Sequence, residues 1–245
     1  MAAPRFFVSL ALAPEVIGET IELPEAAAHH ATRVVRLGVG DALTLFTGTG
    51  GEYAATIARS DRRGAAVRID GYVPVERESA LPITLAQAIA ANDAMDHVLR
   101  KATELGASAI RPLVTARSAP LPAGERGGKR HAHWRNIAIA ACEQCGRNRV
   151  PEVLPAQSLA EWLASWRGSG IVFAPHAGSG LAALPAPAAP IALLIGPEGG
   201  FTPDEIAGAV RAGFAAVQLG PRVLRAETAA VAALAAVHSL WGDFR

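Results

Sequence analysis

The sequence is poor in cysteine and has no long apolar run. Its two cysteines among 245 residues exclude a disulfide-stapled scaffold and are typical of a reducing cytoplasm. The longest uninterrupted apolar stretch, Ala229 to Val237, is far shorter than the roughly 18 residues that a membrane span requires. The start of the chain lacks a basic segment followed by a long apolar one, so we expect no export signal. The sequence therefore predicts a cytoplasmic protein with no membrane partner.

Net charge is also nearly absent, since 23 basic and 22 acidic residues give +1 at pH 7. A total near zero alone argues against a nucleic-acid partner, but the charge is unevenly distributed. Between Arg117 and Arg149 there are seven basic side chains, two acidic ones and two histidines. Such a segment is typical of a surface that binds phosphates, although a solvated helix and loop would have the same composition.

Short strand-like segments dominate the first 73 residues. Apolar and polar residues alternate in 5–10 and 41–46, and glycine-rich turns precede the segments 52–57 and 65–69. A helical or turn segment, 24–37, lies between the first two strands. Several short strands within this length predict a small β-barrel.

Strands alternate with helices beyond a charged connector at 76–79, which indicates a largely parallel sheet. Pro112 indicates an edge or irregular position in its strand, because proline has no amide hydrogen to donate. Asn92 is predicted to cap the first helix. The predicted strands are 83–90, 109–114, 170–174, 191–195 and 216–219, and the predicted helices are 92–105, 133–144, 159–166, 203–212 and 227–240.

The first chemically informative stretch is 195–206, Ile-Gly-Pro-Glu-Gly-Gly-Phe-Thr-Pro-Asp-Glu-Ile. A buried strand runs into a glycine-rich turn, and Thr202 forms a capping box with Glu205 for the next helix. Adjacent glycines bring bare backbone groups close to whatever lies beyond the carboxyl end of the strand, where open α/β sheets bind ligands. The stretch is neither a P-loop nor a dinucleotide fingerprint, and an ordinary strand-to-helix turn would also explain it.

The second stretch is 219–228, Leu-Gly-Pro-Arg-Val-Leu-Arg-Ala-Glu-Thr, which again follows a buried strand and precedes a helix. Glu227 or Thr228 would cap that helix. Taken alone, the stretch could be an ordinary ion-paired loop. Two such loops in succession at the carboxyl edge of one sheet predict a shared ligand pocket.

These two stretches resemble the SPOUT class of S-adenosylmethionine-dependent RNA methyltransferases. Within that class the sequence is similar to the RsmE family, which methylates N3 of a uridine in 16S ribosomal RNA. The resemblance covers nearly the whole chain and departs at Ala226 and Val35, where the family often has threonine and leucine. Smaller matches precede the two stretches, in the expected order, at 5–7, 30–41, 101–106, 117–118 and 134–147.

The resemblance implies an α/β fold with two domains. A small N-terminal PUA-like β-barrel (1–73) would help to hold RNA, and a SPOUT-type C-terminal α/β domain (76–245) would contain a trefoil knot. The implied cofactor is S-adenosylmethionine, and the implied partners are 16S ribosomal RNA or the small ribosomal subunit and a second copy of the chain in a homodimer. The implied cofactor-binding residues are Ala174, Pro175, His176, Leu194, Gly196, Pro197, Glu198, Gly199, Gly200, Leu219, Gly220, Leu224, Arg225, Ala226 and Thr228.

Charge and resemblance together suggest RNA-binding and catalytic residues. Methylation at N3 requires loss of a proton, so a general base or a cation beside the deprotonated uracil is expected. The two stretches offer Glu198 and Glu227 as carboxylates and Arg222 and Arg225 as cations, and we take Arg222, Arg225 and Glu198 as catalytic candidates. The predicted RNA-binding residues are Arg5, His30, Arg33, Arg36, Arg117, Lys129, Arg130 and Arg147.

Other chemistry is less well supported by the sequence. Cys142 and Cys145 have zinc-like spacing, but no second pair follows, so no metal site is predicted. Ser179 lies in no nucleophile elbow, which argues against hydrolase chemistry with His176. Two alternative functions remain: a SPOUT methyltransferase acting on another RNA or base atom, and a non-catalytic RNA-binding module that would not bind S-adenosylmethionine.

Overall fold

The chain forms two compact units in the computed structural model. The first unit contains the chain up to Glu78 together with Cys142–Val150, and the second unit contains the rest. The structure describes residues 3–121, 124–175, 177–187 and 190–244.

Segment 142–150 belongs to the first unit, whereas the sequence predicted it within the second domain. Polar contacts hold it there. The buried Arg147 forms an ion pair with Glu78, and the side-chain amide of Asn148 donates to the carbonyl oxygen of Val75 at 3.0 Å. These partners lie far apart in sequence, so no local pattern could have indicated the contact.

The first unit is built on a five-stranded sheet. Strand β1 pairs with β3 in parallel, and the other neighbouring strands are antiparallel. Alternating apolar residues of β3, β4 and β5 fill the core, which confirms the predicted alternation. Strand β2 was not predicted, because it has three residues and is mostly exposed. The strands are β1 (Arg5–Phe7), β2 (Thr20–Glu22), β3 (Ala42–Phe46), β4 (Glu52–Asp61) and β5 (Gly64–Val73), in the order β1-β3-β4-β5-β2.

A short helix, α1 (Glu25–His29), lies between β2 and β3 and continues into one π-helical turn, His30–Val34. Arg36 follows with a φ of 66°, a left-handed conformation that is uncommon outside glycine. The turn leaves Arg33 and Arg36 exposed at its surface.

The second unit contains a seven-stranded sheet in which every pairing between the described strands is parallel. This confirms the predicted parallel sheet. The strands are β6 (Ile83–Ala88), β7 (Ala109–Val114), β8 (Glu152–Val153), β9 (Gln157–Ser158), β10 (Ser169–Phe173), β11 (Ile191–Ile195) and β12 (Phe214–Val217); their order is β12-β10-β11-β6-β7-β8, and β9 also pairs with β7.

Pro112 shows how the sheet tolerates a proline in an interior strand. On one side of β7, residues 109–110 pair with β8 and residues 113–114 pair with β9. Pro112 therefore lies where the partner strand is interrupted. The predicted irregular position is confirmed, because the missing amide hydrogen costs little where no partner is paired.

In the described part of the chain, five helices that are longer than α1 accompany the second sheet. The predicted cap at Asn92 is wrong: the residue before α2 is Ala91, and the Oδ1 of Asn92 accepts a hydrogen bond from Arg130. The predicted caps Glu227 and Thr228 are also wrong, because α6 begins at Ala226. None of the described helices is long and apolar enough to cross a membrane. The helices are α2 (Asn92–Glu104), α3 (Gly124–Cys145), α4 (Leu159–Ser165), α5 (Pro203–Arg211) and α6 (Ala226–Trp241).

Candidate active site

A cavity of about 360 Å³ lies at the carboxyl ends of β10, β11 and β12 in the second unit. Its size falls in the range of about 300 to 1,000 Å³ that is common for small-molecule sites. The two stretches that were predicted to share a pocket line this same cavity. The lining residues are Phe173, Ala174, Pro175, Ile195, Gly196, Pro197, Glu198, Gly199, Gly200, Phe201, Ile206, Leu219, Gly220, Arg222, Val223, Leu224, Ala226 and Ala229.

Most of the predicted cofactor-binding residues line the cavity, with four exceptions. Leu194 is fully buried in β11, and Arg225 and Thr228 are exposed residues outside the lining. His176 lies outside the described residues. The apolar lining residues that the prediction missed include Phe173 and Ile195. In the sequence they belong to buried strands and cannot be distinguished from core residues.

The glycine-rich loop 196–200 forms one wall of the cavity. Gly200 has a φ of +67°, and its amide donates to the carbonyl oxygen of Pro197 at 2.8 Å, which closes a tight turn. The capping box of Thr202 and Glu205 then starts α5, as the sequence predicted. This geometry leaves several backbone groups at the cavity with little side-chain cover.

The side chain of Gln87 forms a hydrogen bond with the same loop. Its fully buried side chain donates from Nε2 to the carbonyl oxygens of Ala88 at 2.9 Å and Gly196 at 3.3 Å. Sequence reasoning missed this residue. The available signal was a single amide side chain within the otherwise apolar end of β6, where buried polar groups need hydrogen-bond partners.

The second loop, 219–225, supplies the cations of the site. Gly220 has a φ of +73°, which turns the chain after β12. Arg222 lines the cavity, and both Arg222 and Arg225 are exposed with no ion pair among the described residues. Val223 is 74% exposed between them. Unpaired guanidinium groups at the edge of a cavity can bind an anion or stabilise developing negative charge.

Glu198 and Glu227, the two candidate carboxylates, have different surroundings. The Oε1 of Glu198 accepts a hydrogen bond from the amide of Ala91 at 2.8 Å, and Glu198 lines the cavity. Its other oxygen has no hydrogen bond within the described part of the chain. Glu227 lies half-buried in the first turn of α6 and does not line the cavity. The geometry thus favours Glu198 over Glu227 as the carboxylate of the site.

Three predicted RNA-binding residues in the second unit contact protein groups. Arg117 donates to the carbonyl oxygen of Gly199 at 2.9 Å. Arg130 donates to Asn92 and its guanidinium lies 5.2 Å from the ring centre of Trp134. Lys129 forms an exposed ion pair with Glu125 across one helical turn, a pair that contributes little energy and leaves the ammonium accessible.

Three others, in the first unit, are used internally. Arg5 donates to Glu52 and Asn148. His30 lies 3.4 Å from a carboxylate oxygen of Glu143, and the buried Arg147 pairs with Glu78. These contacts favour a structural role for Arg5 and Arg147.

Arg33 and Arg36 are the predicted RNA-binding residues that face solvent with no ion pair among the described residues. Arg33 lines a shallow groove with Arg62, at the turn between β4 and β5, and Arg63 lies beside it, also exposed and unpaired in the described chain. Sequence reasoning missed Arg62 and Arg63 because they are distant from Arg33 in the chain. The groove has a volume of about 270 Å³ and is lined by Thr32, Arg33, Ser60, Asp61 and Arg62.

Of the two cysteines, Cys142 has the more enclosed thiol. Cys142 is buried, and burial raises the pKa of its thiol to about 12, so the thiol stays protonated at neutral pH. Among the described residues, no group of three or more histidine, cysteine, aspartate or glutamate side chains is placed to hold a metal ion.

Comparison with known proteins gives matches along both units. The RNA methyltransferase domain family matches residues 77–238, and the RNA methyltransferase PUA domain family matches residues 23–70. A ribosomal RNA small subunit methyltransferase E from Buchnera aphidicola of Schizaphis graminum is 33% identical over 98% of this chain and 97% of its own length. The corresponding protein from Synechocystis is also 33% identical, over 94% of this chain and 77% of its own.

Two solved structures are similar over all of this chain and all of their own. One is a ribosomal RNA small subunit methyltransferase E from Neisseria gonorrhoeae bound to S-adenosylmethionine, at 38% identity and a TM-score of 0.92. The other is a protein from Legionella pneumophila solved with bound S-adenosylmethionine, at 37% identity and a TM-score of 0.95. Both backbones therefore have the fold described above.

Proposed function

Because the chain belongs to the ribosomal RNA small subunit methyltransferase E family, we propose that it methylates N3 of a specific uridine in 16S ribosomal RNA, giving 3-methyluridine. The methyl donor is S-adenosylmethionine. The observation that carries this proposal is the single cavity lined by the two loops 196–200 and 219–224. The similar proteins that were solved with this cofactor support the same assignment.

The cavity suits the proposed cofactor. Its walls combine apolar side chains, such as Phe173 and Leu224, with the backbone groups of Gly196 and Gly199. Apolar walls with a few backbone donors and acceptors are the usual surroundings of a nucleoside-containing ligand. The loops 196–200 and 219–224 would hold it, and residues 174–175 would close the third side.

The catalytic residues are assigned by their position at this cavity. When bound, S-adenosylmethionine supplies a methyl group on a positively charged sulfur, which uridine N3 can attack as its proton passes to a base. We propose Glu198 as the base, since one of its oxygens is held by Ala91 and the other has no hydrogen bond within the described chain. Arg222 and Arg225 would stabilise the negative charge on uracil or hold a neighbouring phosphate.

Substrate RNA would bind partly to the first unit. Its exposed arginines Arg33, Arg36, Arg62 and Arg63 form no ion pair with a described carboxylate, so their guanidinium groups can contact phosphates. Nearby Arg59 differs, because it pairs with Glu22 and Asp61. The match of residues 23–70 to an RNA methyltransferase PUA domain supports this role.

We also propose the finer features that the resemblance implies. Domain 1–73 would close into a PUA-like barrel, and domain 76–245 would contain a trefoil knot. Two chains would form a homodimer in the cytoplasm. The partner of this homodimer would be the small ribosomal subunit. Light scattering would then give twice the chain mass of 25.3 kDa, whereas a mass of one chain would contradict the dimer.

Titration calorimetry with S-adenosylmethionine is the first test of the proposal. We expect one site per chain. A chain that binds 16S ribosomal RNA but shows no affinity for S-adenosylmethionine would instead be a non-catalytic RNA-binding module. If the chain binds the cofactor but methylates a different RNA or base atom, the proposed substrate would be wrong and the proposed cofactor would still be right.

A further inference from the structure

The glycine-rich wall of the cavity is fastened to the loop that follows β7. Arg117 donates from Nη1 to the carbonyl oxygen of Gly199 at 2.9 Å, and the amide of Ala116 donates to the Oε1 of Glu205 at 2.8 Å. The Oε2 of Glu205 accepts from the amide of Thr202, also at 2.8 Å. Two adjacent residues, Ala116 and Arg117, thus contact the wall at Gly199, within its tight turn, and at Glu205, in the first turn of α5.

Arg117 fits closely against Gly199. A Cβ atom at position 199 would lie 3.2 Å from the Cβ and 3.3 Å from the Cδ of Arg117, which is closer than most side chains approach. Packing and hydrogen bonding therefore act at the same point. Arg117 does not line the cavity, but it contacts Gly199, which does.

A hydrogen bond from a charged donor is stronger than one from a neutral donor. The guanidinium of Arg117 is exposed, so solvent reduces this advantage. Such a bond matters at Gly199 because Gly199 and Gly200 have no side chains that could hold this end of the loop in place.

We propose that Arg117 is a positioning residue, which fixes the carbonyl of Gly199 and so keeps the backbone of loop 196–200 in the shape that binds S-adenosylmethionine. This inference rests on the proposed function. It gives Arg117 a different task from the RNA contact that its basic neighbourhood predicted. If Arg117 positions the loop, removing its guanidinium weakens the binding of S-adenosylmethionine. If Arg117 contacts RNA, removing its guanidinium weakens the binding of RNA.

The test compares Arg117→Ala, Arg117→Lys and the wild-type chain, with Arg211→Ala as the control. Arg211 is an exposed arginine at the end of α5 and does not line the cavity. Calorimetry measures the Kd for S-adenosylmethionine, filter binding measures the Kd for 16S ribosomal RNA, and steady-state kinetics give the KM for each.

We expect Arg117→Ala to raise the Kd and KM for S-adenosylmethionine about tenfold, which corresponds to about 1.4 kcal/mol. The RNA Kd and KM should stay within about twofold. Arg117→Lys should recover cofactor affinity to within about threefold of wild type, because an ammonium can still donate to the carbonyl oxygen. Arg211→Ala should bind both ligands like the wild-type chain.

Unchanged cofactor affinity in Arg117→Ala would overturn the inference. So would weaker RNA binding with a salt slope smaller by about one and normal cofactor affinity, since that result is typical of a phosphate contact. If Arg117→Ala unfolds, the test is the affinity of Arg117→Lys for S-adenosylmethionine. A loss of affinity of tenfold or more in Arg117→Lys would contradict the proposal, because it would show that a charged donor alone does not suffice. A wild-type chain without cofactor affinity would remove the proposed function and this inference together.

Discussion

At the scale of single residues, the two arginines after β12 are the cations that we propose to act in methyl transfer. Arg222 lines the cavity, and Arg225 stands beside it without an ion pair in the described chain. We expect Arg222→Ala to lower kcat about 100-fold, because electrostatic stabilisation of a developing anion is commonly worth 10² to 10³ in rate. Single-turnover methylation of 16S ribosomal RNA measures the change.

The matched control for this prediction is Arg211→Ala, an exposed arginine in α5 with no place in the lining. It should retain wild-type kcat. If Arg222→Ala and Arg225→Ala both methylate at the wild-type rate, separately and combined, neither arginine stabilises the uracil anion.

Glu198 combines an anchoring contact with the proposed role of base, and two substitutions separate them. Glu198→Gln keeps an oxygen that can accept from the amide of Ala91 but cannot take a proton at neutral pH. We expect it to lower kcat by about 10² to 10⁴ while the Kd for S-adenosylmethionine stays within about threefold.

Glu198→Ala removes the anchor as well and should also weaken cofactor binding, which calorimetry would show. A Glu198→Gln variant with wild-type kcat would leave Glu198 as an anchor and assign proton removal to another group.

Some residues of the site could be predicted from the sequence, and others could not. The lining positions in 196–200 and 219–224 were identified because turn-forming and polar residues are conspicuous between apolar strands. The contacts of Arg117 and Arg147 could not be predicted, because their partners Gly199 and Glu78 lie far away in the chain. A basic residue in a basic segment does not reveal which acceptor it will meet after folding.

At the scale of elements, α4 and α5 offer a paired test of how a helix start supports the cavity. Both begin with a capping box, on Ser158 and Thr202. Replacing either residue by alanine should cost about 1 kcal/mol and lower the unfolding temperature by about 2 to 4 °C. Thermal unfolding monitored by circular dichroism would show equal effects.

The two variants should differ in cofactor affinity. Thr202 lies two residues after Gly200, the last residue of the glycine-rich wall, so we expect Thr202→Ala to raise the Kd for S-adenosylmethionine about threefold, which is about 0.7 kcal/mol. Ser158 is not part of the lining, and Ser158→Ala should leave the Kd unchanged. Equal cofactor affinities in the two variants would mean that the start of α5 does not support the wall.

Elements were predicted well where apolar periodicity is strong and poorly where it is weak. Strand β11 is a fully buried apolar run and was assigned correctly. Helix α3 begins at Gly124, well before the predicted start at His133, because residues 124–132 are glycine-rich and basic and have almost no apolar pattern. Strands β8 and β9 have two residues each, too short for any alternation to be visible.

At the scale of the whole molecule, the net charge of +1 says little about RNA affinity, because it averages exposed, unpaired arginines with acidic residues elsewhere in the chain. Unpaired Arg33 and Arg62 should each contribute about one unit to the slope of log K against log salt. Arg33→Ala/Arg62→Ala should therefore reduce the slope by about two in filter-binding titrations of 16S ribosomal RNA.

The control is Arg59→Ala/Arg68→Ala, which removes two arginines that already have carboxylate partners. Its slope should change by less than about half a unit, since paired charges release few counterions. Equal slopes in the two double variants would place the RNA contact elsewhere on the molecule.

The most direct test of the central claim is to locate the methyl group. Small ribosomal subunits from a strain lacking this gene should be incubated with the purified chain and isotopically labelled S-adenosylmethionine, and the 16S ribosomal RNA digested to nucleosides for mass spectrometry. We expect one labelled 3-methyluridine per 16S ribosomal RNA. Absence of label, or label on another base or another atom of uridine, would contradict it.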